Sequence, residues 1–202
     1  MTVTRTRLSA PERRQAVLET ACRIFSTGSY RGTTTAEIAH QAGVSEPILY
    51  RHFSSKRELY LACLEEAWLQ MRAAWEKLIV EEPNPVAWFS GMGNSFLEAQ
   101  RAKVSLANLW VQALTEASDD PKIRRYLRQH LQLVHDFVAD VIVEAQKRGA
   151  IVAERDPTAE AWIFVSLGLL SSIGRRLGGL ATEDFPRIIA SRREWMTGVK
   201  PA

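Results

Sequence analysis

The chain has 202 residues, of which 46% are hydrophobic and 24% charged, the balance of a globular protein with its own core. This composition excludes a largely disordered chain. The longest uncharged apolar run, residues 161–174, is shorter than the roughly 20 residues that a membrane-spanning helix needs. The N-terminal sequence MTVTRTRLSAPE lacks the apolar segment of a signal peptide. We therefore expect a cytoplasmic protein with no membrane partner.

The net charge of +3 is unevenly distributed along the chain. Residues 1–60 carry nine Lys or Arg against five Asp or Glu, a net charge of +4, whereas the remainder has a net charge of −1. A positive excess at one end is typical of a segment that binds nucleic acid. A small excess is also common on solvated surfaces, so the charge needs the support of a motif.

Apolar residues recur at helical spacing almost throughout the chain, and strand signals are nearly absent, so the sequence predicts an all-α fold. The first helix begins near Ser9, which has the spacing of a capping box with Glu12, and Gly28 is a plausible end. Two short helices follow at about 35–42 and 45–52. Helices this short are not stable alone and must dock on their neighbours.

The two short helices have the pattern of a helix-turn-helix. Gly43 lies where the turn between them needs a residue that accepts a positive φ. Leu49 and Phe53 form the inward stripe of the second short helix. Its opposite face carries polar and aromatic groups that are left to contact a partner.

The rest of the chain is predicted to form a helical bundle. A long fourth helix begins after Ser55 and ends at the proline-containing connector 81–85. Further helices are predicted near 86–100 and 103–117, from Pro121 to Lys147, after Asp156, and from Phe185 to Met196. We place the domain boundary within the fourth helix, which gives domains of residues 1–55 and 56–202.

The run from Gly32 to Leu59, GTTTAEIAHQAGVSEPILYRHFSSKREL, resembles the tetracycline-repressor (TetR) family of bacterial transcription regulators. The detailed similarity extends from Arg13 onward, and the remaining chain agrees in length and helical character. The resemblance implies an N-terminal three-helix DNA-binding domain followed by a C-terminal bundle that binds a small molecule and dimerises. It also implies a homodimer in which each third helix enters a major groove of a palindromic operator.

On matching positions the resemblance implies a set of DNA contacts. Phosphate contacts are expected from Thr34, Thr35, Tyr50, His52 and Lys56, and base-edge or neighbouring backbone contacts from Glu46, Pro47, Ile48 and Arg51. Ser45 is a further DNA-binding candidate. Physical chemistry supports this set, because Lys56 lies in the first turn of a helix, where a cation is unfavourable unless an anion binds beside it. Alternatives remain open: Tyr50 as a packing residue, His52 as an ordinary surface histidine, and Glu46 as a helix-terminal charge.

An effector site is predicted in the bundle. The candidates are Trp68, Met71 and Trp75 on the fourth helix, with Phe89, Trp110, Leu114 and Phe137 facing them across a cavity. Such a cavity would suit an apolar or aromatic effector. Taken singly, each of these residues is better explained as part of a solid core, and it is the family resemblance that argues for a cavity.

Residues 161–174 are apolar around most of the helix circumference, so the helix needs cover on two sides. We expect one side to pack inward and the other to meet the same helix of a second subunit, with the last helix completing a four-helix interface. The interface candidates are Trp162, Val165, Leu169, Ser172, Ile173, Phe185, Ile189 and Met196.

The leading hypothesis is therefore a ligand-responsive repressor that an effector releases from DNA. A DNA-binding scaffold without an effector is the alternative. An enzyme is not expected, because the sequence contains no HExxH, GxSxG or P-loop motif. His130 and His135 lie about 140° apart on a helix, which does not form a metal pair. We expect no cofactor and no metal.

Overall fold

The computed structural model describes residues 9–101 and 106–199. These residues form helices and no strand, which confirms the predicted all-α fold. The helices are α1 Ala10–Thr27, α2 Thr35–Gln41, α3 Glu46–His52, α4 Lys56–Glu81, α5 Pro85–Arg101, α6 Leu106–Glu116, α7 Pro121–Lys147, α8 Pro157–Arg176 and α9 Phe185–Thr197. The start of the sixth helix, predicted at residue 103, lies outside the described residues.

The predicted helix ends arise from the capping groups that the sequence supplies. Ser9 Oγ accepts a hydrogen bond from the Glu12 amide, and the Glu12 carboxylate accepts one from the Ser9 amide at 2.7 Å, so the capping box is complete. Asp120 begins α7 by accepting hydrogen bonds from the amides of Lys122 and Ile123 at 2.9 and 3.3 Å. Both helices therefore start within a residue or two of their predicted positions.

A hydrophobic cluster, called here the head core, holds α1–α3 and the first turns of α4 together. It extends beyond residue 55, because side chains of α6 and α7 belong to it. Its buried members include Val17, Phe25, Ile38, Leu49, Phe53, Leu59, Leu109, Ile123 and Leu127. The hydroxyl of Tyr60 also donates to the carbonyl of Leu109 at 2.9 Å inside this cluster. The three-helix head is thus packed onto the bundle rather than joined to it by a linker.

A second cluster, the bundle core, lies between α4, α5, α7 and α8. Its largest buried members are Trp68, Trp75, Trp88, Met92, Val138 and Ile142. A Cβ added at Gly91 would lie 2.5 Å from the Leu78 side chain, so this glycine allows α5 to approach α4 closely. At the end of the bundle, the Trp195 indole on α9 donates to the buried carboxylate of Glu160 on α8 at 2.8 Å.

Along the described ranges, none of the helices is long and apolar enough to cross a lipid bilayer.

Candidate functional site

The turn between α2 and α3 has the geometry that the sequence predicts. Gly43 has a φ of +69°, and its amide donates to the carbonyl of His40 at 3.1 Å. The next amide, that of Val44, donates to the carbonyl of Ala39 at 3.0 Å. Leu49 and Phe53 are buried in the head core, so the inner face of α3 is fixed and its outer face is turned to solvent.

A hydrogen-bonded chain that the sequence does not reveal connects α2 to α3. The Thr35 hydroxyl donates to the Glu46 carboxylate at 2.5 Å and lies 3.0 Å from the Tyr50 hydroxyl. Because the single Thr35 hydrogen goes to the carboxylate, Tyr50 is the donor in the second bond. A phosphate contact through the Tyr50 hydrogen therefore requires this hydroxyl to turn away from Thr35. The hydrogen bond from Thr35 likewise holds the Glu46 carboxylate against α2.

The other predicted DNA-contact residues of the head differ in side-chain exposure and hydrogen bonding. The side chains of Thr34, Ser45, Pro47 and Arg51 are exposed, and those of Ile48 and His52 are partly buried. Thr34 caps α2 by accepting from the Glu37 amide at 3.1 Å, which leaves its hydroxyl hydrogen available to an anion. Ser45 begins α3 without a side-chain capping bond. The exposed outer face of α3 is thus a continuous surface that can contact a partner.

Lys56 has a structural role that the sequence argument missed. Its ammonium donates to the carbonyls of Tyr30 and Thr33 at 2.8 and 2.9 Å and lies over the Tyr30 ring. These carbonyls, rather than a phosphate, supply the negative partial charges that stabilise a cation in the first turn of α4. Burial lowers the pKa of Lys56 from its ordinary value. One ammonium hydrogen remains for an anion, so a phosphate contact is possible only in addition to this role.

A set of ion pairs, called here the head–bundle latch, connects the head to the turn between α6 and α7. Arg31 pairs with Glu116 at 3.1 Å and with Asp119, and Arg57 pairs with Asp120 at 2.9 Å. Partial burial acts to raise the pKa of the Asp120 carboxyl, but hydrogen bonds from Arg57 and two amides lower it below its ordinary value. Spacing patterns could not reveal this latch, because its partners lie far apart in the sequence.

The predicted effector residues do not line a common cavity. Trp68, Trp75 and Phe137 pack against one another, with ring centroids 5.8 to 6.1 Å apart, and Met71 and Phe89 pack on the same bundle core. These rings fill the space because their edges and faces interlock. Trp110 lies elsewhere, packed against the head core and 4.7 Å from the His130 ring, and Leu114 is 39% exposed.

An open groove of about 400 Å³ lies between α4 and α7, and Phe137 is the predicted effector residue that borders it. Its other lining residues are Arg72, Glu76, Ile79, Val80, Trp88, Asp140, Val141 and Glu144. The volume falls within the range of small-molecule sites. The groove combines an apolar floor with a charged rim.

The predicted dimer residues divide into two sets. Trp162, Ile173 and Ile189 are exposed apolar side chains, and Val165, Leu169 and Phe185 are partly buried. Ser172 is buried instead: its hydroxyl accepts from the Gln100 amide group at 2.8 Å and donates to the Gly168 carbonyl. Met196 packs against the bundle core. Ser172 and Met196 thus pack within the chain, whereas Trp162, Ile173 and Ile189 are available to a second copy.

Known transcription regulators have sequences similar to that of the helix-turn-helix region. The family described as "Bacterial regulatory proteins, tetR family" matches residues 17–63. The transcriptional activator FasR of Mycolicibacterium smegmatis is 51% identical over 59 residues, which are 29% of this chain and 27% of FasR. The chain therefore matches about a quarter of the length of FasR.

Solved structures extend the similarity to the bundle. A TetR-family regulator from Rhodococcus sp. covers 87% of this chain and 93% of its own, with a TM-score of 0.76 at 24% identity. AibR in complex with isovaleryl coenzyme A and operator DNA covers 79% of this chain and 85% of its own, with a TM-score of 0.60 at 23% identity. At these identities the likeness shows the shared fold.

Proposed function

We propose that this chain, which belongs to the TetR family of bacterial transcription regulators, is a repressor that binds a palindromic operator as a homodimer. A small apolar or aromatic effector releases it from DNA. The observation that carries the proposal is the outer face of α3, which is exposed while Leu49 and Phe53 fix its inner face in the head core. In this account residues 1–55 bind DNA, and residues 56–202 bind the effector and dimerise.

The outer face of α3 has the chemistry that a major groove requires. Arg51 is exposed and can bind guanine or a phosphate, and the half-buried Ile48 can pack on a thymine methyl group. Thr34 and Ser45 at the two helix starts have hydroxyl hydrogens that can bind phosphates. Glu46 would need to leave Thr35 before it accepted from a cytosine amine.

Exposed apolar side chains on α8 and α9 support the homodimer. Trp162, Ile173 and Ile189 would be covered by the same face of a second copy, so that each patch meets its symmetry mate. To bind a palindromic operator, such a dimer has to hold its two α3 helices about 34 Å apart, the separation of successive major grooves on one side of a duplex.

The groove between α4 and α7 supports the effector site and suggests how it communicates with the head. The two helices that form the groove also carry residues of the head–bundle latch. Arg57 lies in the first turn of α4, and Asp120 caps α7. A ligand that separates the two helices would shift the head relative to the bundle. Coupling between such sites is typically 1–3 kcal/mol. AibR, which has a similar fold, was solved with isovaleryl coenzyme A and operator DNA.

Selection of bound duplexes from a random pool tests the DNA-binding role, and we expect a palindromic sequence to emerge. On that sequence Tyr50→Ala and Arg51→Ala should each weaken binding at least about tenfold, the effect of losing one or two good contacts. Arg128→Ala, which removes an exposed charge from the outside of α7, is the matched control and should bind like the wild type. Unchanged affinity in both head variants would contradict the proposal.

The filled bundle core favours a second candidate, a dimeric DNA-binding scaffold without an effector. Trp68, Trp75 and Phe137 leave little space among themselves. A panel of apolar and aromatic metabolites separates the two candidates. If one compound releases the wild type from the operator, and Asp140→Arg at the groove rim makes the protein insensitive to that compound, the repressor is supported. A panel without any effect on affinity or on melting temperature supports the scaffold.

A further inference from the structure

We propose that the first turns of α1 and the outer face of α3 enclose a phosphate-binding pocket, in which Arg13 clamps the DNA backbone beside the reading helix. The inference rests on the proposed function and extends the DNA interface to a helix outside the helix-turn-helix. The structure contains a pocket of about 190 Å³ lined by Ala10, Arg13, Ile48, Arg51 and His52. Two arginines and a histidine thus border one small cavity.

The positive charge of this pocket is not neutralised by neighbouring acids. Along the described residues Arg13, Arg51 and His52 form no ion pair with a carboxylate. The two acids closest in sequence are already engaged elsewhere. Glu12 folds back onto the Ser9 amide at 2.7 Å, and Glu46 accepts from Thr35. An anion that enters the pocket therefore meets uncompensated donors.

The size and chemistry of the pocket suit a single phosphate group. Guanidinium groups present planar pairs of donors that match phosphate oxygens, and this match favours Arg over Lys. The side chains of Ala10 and Ile48 complete the pocket wall.

The position of the pocket identifies the source of the phosphate as the DNA backbone. Ile48 and Arg51 border the pocket and also belong to the face of α3 that is proposed to enter the major groove. When α3 lies in the groove, the pocket faces a strand that flanks it. The alternative source of the same chemistry is a free phosphate anion.

The experiment measures binding to the selected operator and to a scrambled duplex by fluorescence anisotropy over a range of salt concentrations. Each phosphate contact adds about 0.9 to the slope of log K against log salt. With one contact per head, Arg13→Ala should reduce the slope by about 2 and weaken both duplexes by the same factor. Arg13→Lys should keep most of the slope, and Arg23→Ala, an exposed charge further along α1, should behave like the wild type.

An unchanged slope in a folded Arg13→Ala protein would overturn the inference. A loss of affinity restricted to the operator would also overturn it, because Arg13 would then be a base-reading residue.

A second experiment replaces chloride by inorganic phosphate at constant ionic strength. Because the pocket is proposed to hold a phosphate group, inorganic phosphate should compete with DNA and weaken binding by the wild type more than binding by Arg13→Ala. Equal weakening of both proteins, or a phosphate-induced rise in the wild-type melting temperature without weaker DNA binding, would overturn the DNA contact. A wild type that binds neither duplex overturns the proposed function as well, so the two failures are distinguishable.

Discussion

His130 is a buried histidine whose environment opposes a positive charge. It is 3% exposed and surrounded by the rings of Trp68, Trp110 and Tyr126 at centroid distances of 4.7 to 5.7 Å. Its Nδ1 atom has no hydrogen-bond partner among the described residues. Desolvation lowers the pKa of His130 from 6.5 to about 4, so the side chain is neutral in the native protein near neutral pH.

This burial predicts an acid-sensitive stability. The unfolded chain takes up the proton near pH 6.5 and the native chain near pH 4, so the unfolded state binds more protons between these values. The free energy of unfolding should therefore fall by about 3 kcal/mol as the pH drops through this window. Urea titrations at several pH values measure the fall. His130→Leu should remove most of it, whereas His40→Gln, at an exposed site, should retain it. Equal pH dependence in both variants would contradict the assignment.

The hydroxyl of Thr35 stabilises the helix-turn-helix by bridging α2 and α3. Thr35→Val leaves the Glu46 carboxylate and the Tyr50 hydroxyl without their partner, so the free energy of unfolding should fall by about 1–2 kcal/mol. Ser45→Ala is a suitable control, because the Ser45 side chain makes no capping bond and its loss should leave stability unchanged. Chemical denaturation checks both. Similar stability of the two variants would show that the bridge is not maintained in solution.

At the scale of elements, exposure separates the two halves of the head–bundle latch. The side chains of Arg57 and Asp120 are 34% and 22% exposed, and Asp120 also caps α7. The side chains of Arg31 and Asp119 are 64% and 68% exposed. Water and salt screen the exposed pair, so it contributes little to stability.

We therefore expect Asp120→Ala to lower the free energy of unfolding by about 1–2 kcal/mol, mainly through the lost helix cap. Asp119→Ala should change it by less than about 0.5 kcal/mol. Thermal unfolding followed by circular dichroism measures both variants under the same conditions. A larger loss in Asp119→Ala than in Asp120→Ala would contradict this division of the latch.

The elements themselves follow from the sequence, because their signals are local. Ser9, Gly43 and Asp120 each determine a helix end or a turn through groups within a few residues, and the structure has the predicted ends. The partners of single side chains do not follow in this way. Lys56 binds carbonyls more than twenty residues away, and Ser172 binds Gln100 on another helix, and both contacts depend on how the helices pack.

The predicted effector site shows the same limit more clearly. A stripe of aromatic residues predicts that Trp68, Trp75 and Phe137 share one region, and they do. Whether such a region is filled or hollow depends on side-chain volumes and ring orientations that spacing does not encode. The groove between α4 and α7 is bordered by Phe137 together with charged residues that the apolar pattern did not include.

At the scale of the whole molecule, the proposed dimer predicts that a charge on the exposed face of α8 or α9 prevents association. Ile173→Glu and Ile189→Glu would each bury two carboxylates against apolar surface at the twofold axis, at a cost of several kcal/mol. Sedimentation velocity should show monomers for these variants. Val80→Glu, at a site that is 85% exposed on α4, should remain dimeric. Dimers in all three variants would place the interface elsewhere.

The central claim is that two copies of the α3 face bind one duplex by symmetry. Sedimentation equilibrium of the protein with the selected palindrome tests it most directly, and we predict two chains per duplex. Insertion of about five base pairs between the half-sites rotates one of them by roughly half a turn and should abolish this complex. A single chain bound per duplex, or a complex that tolerates the insertion, would contradict the account.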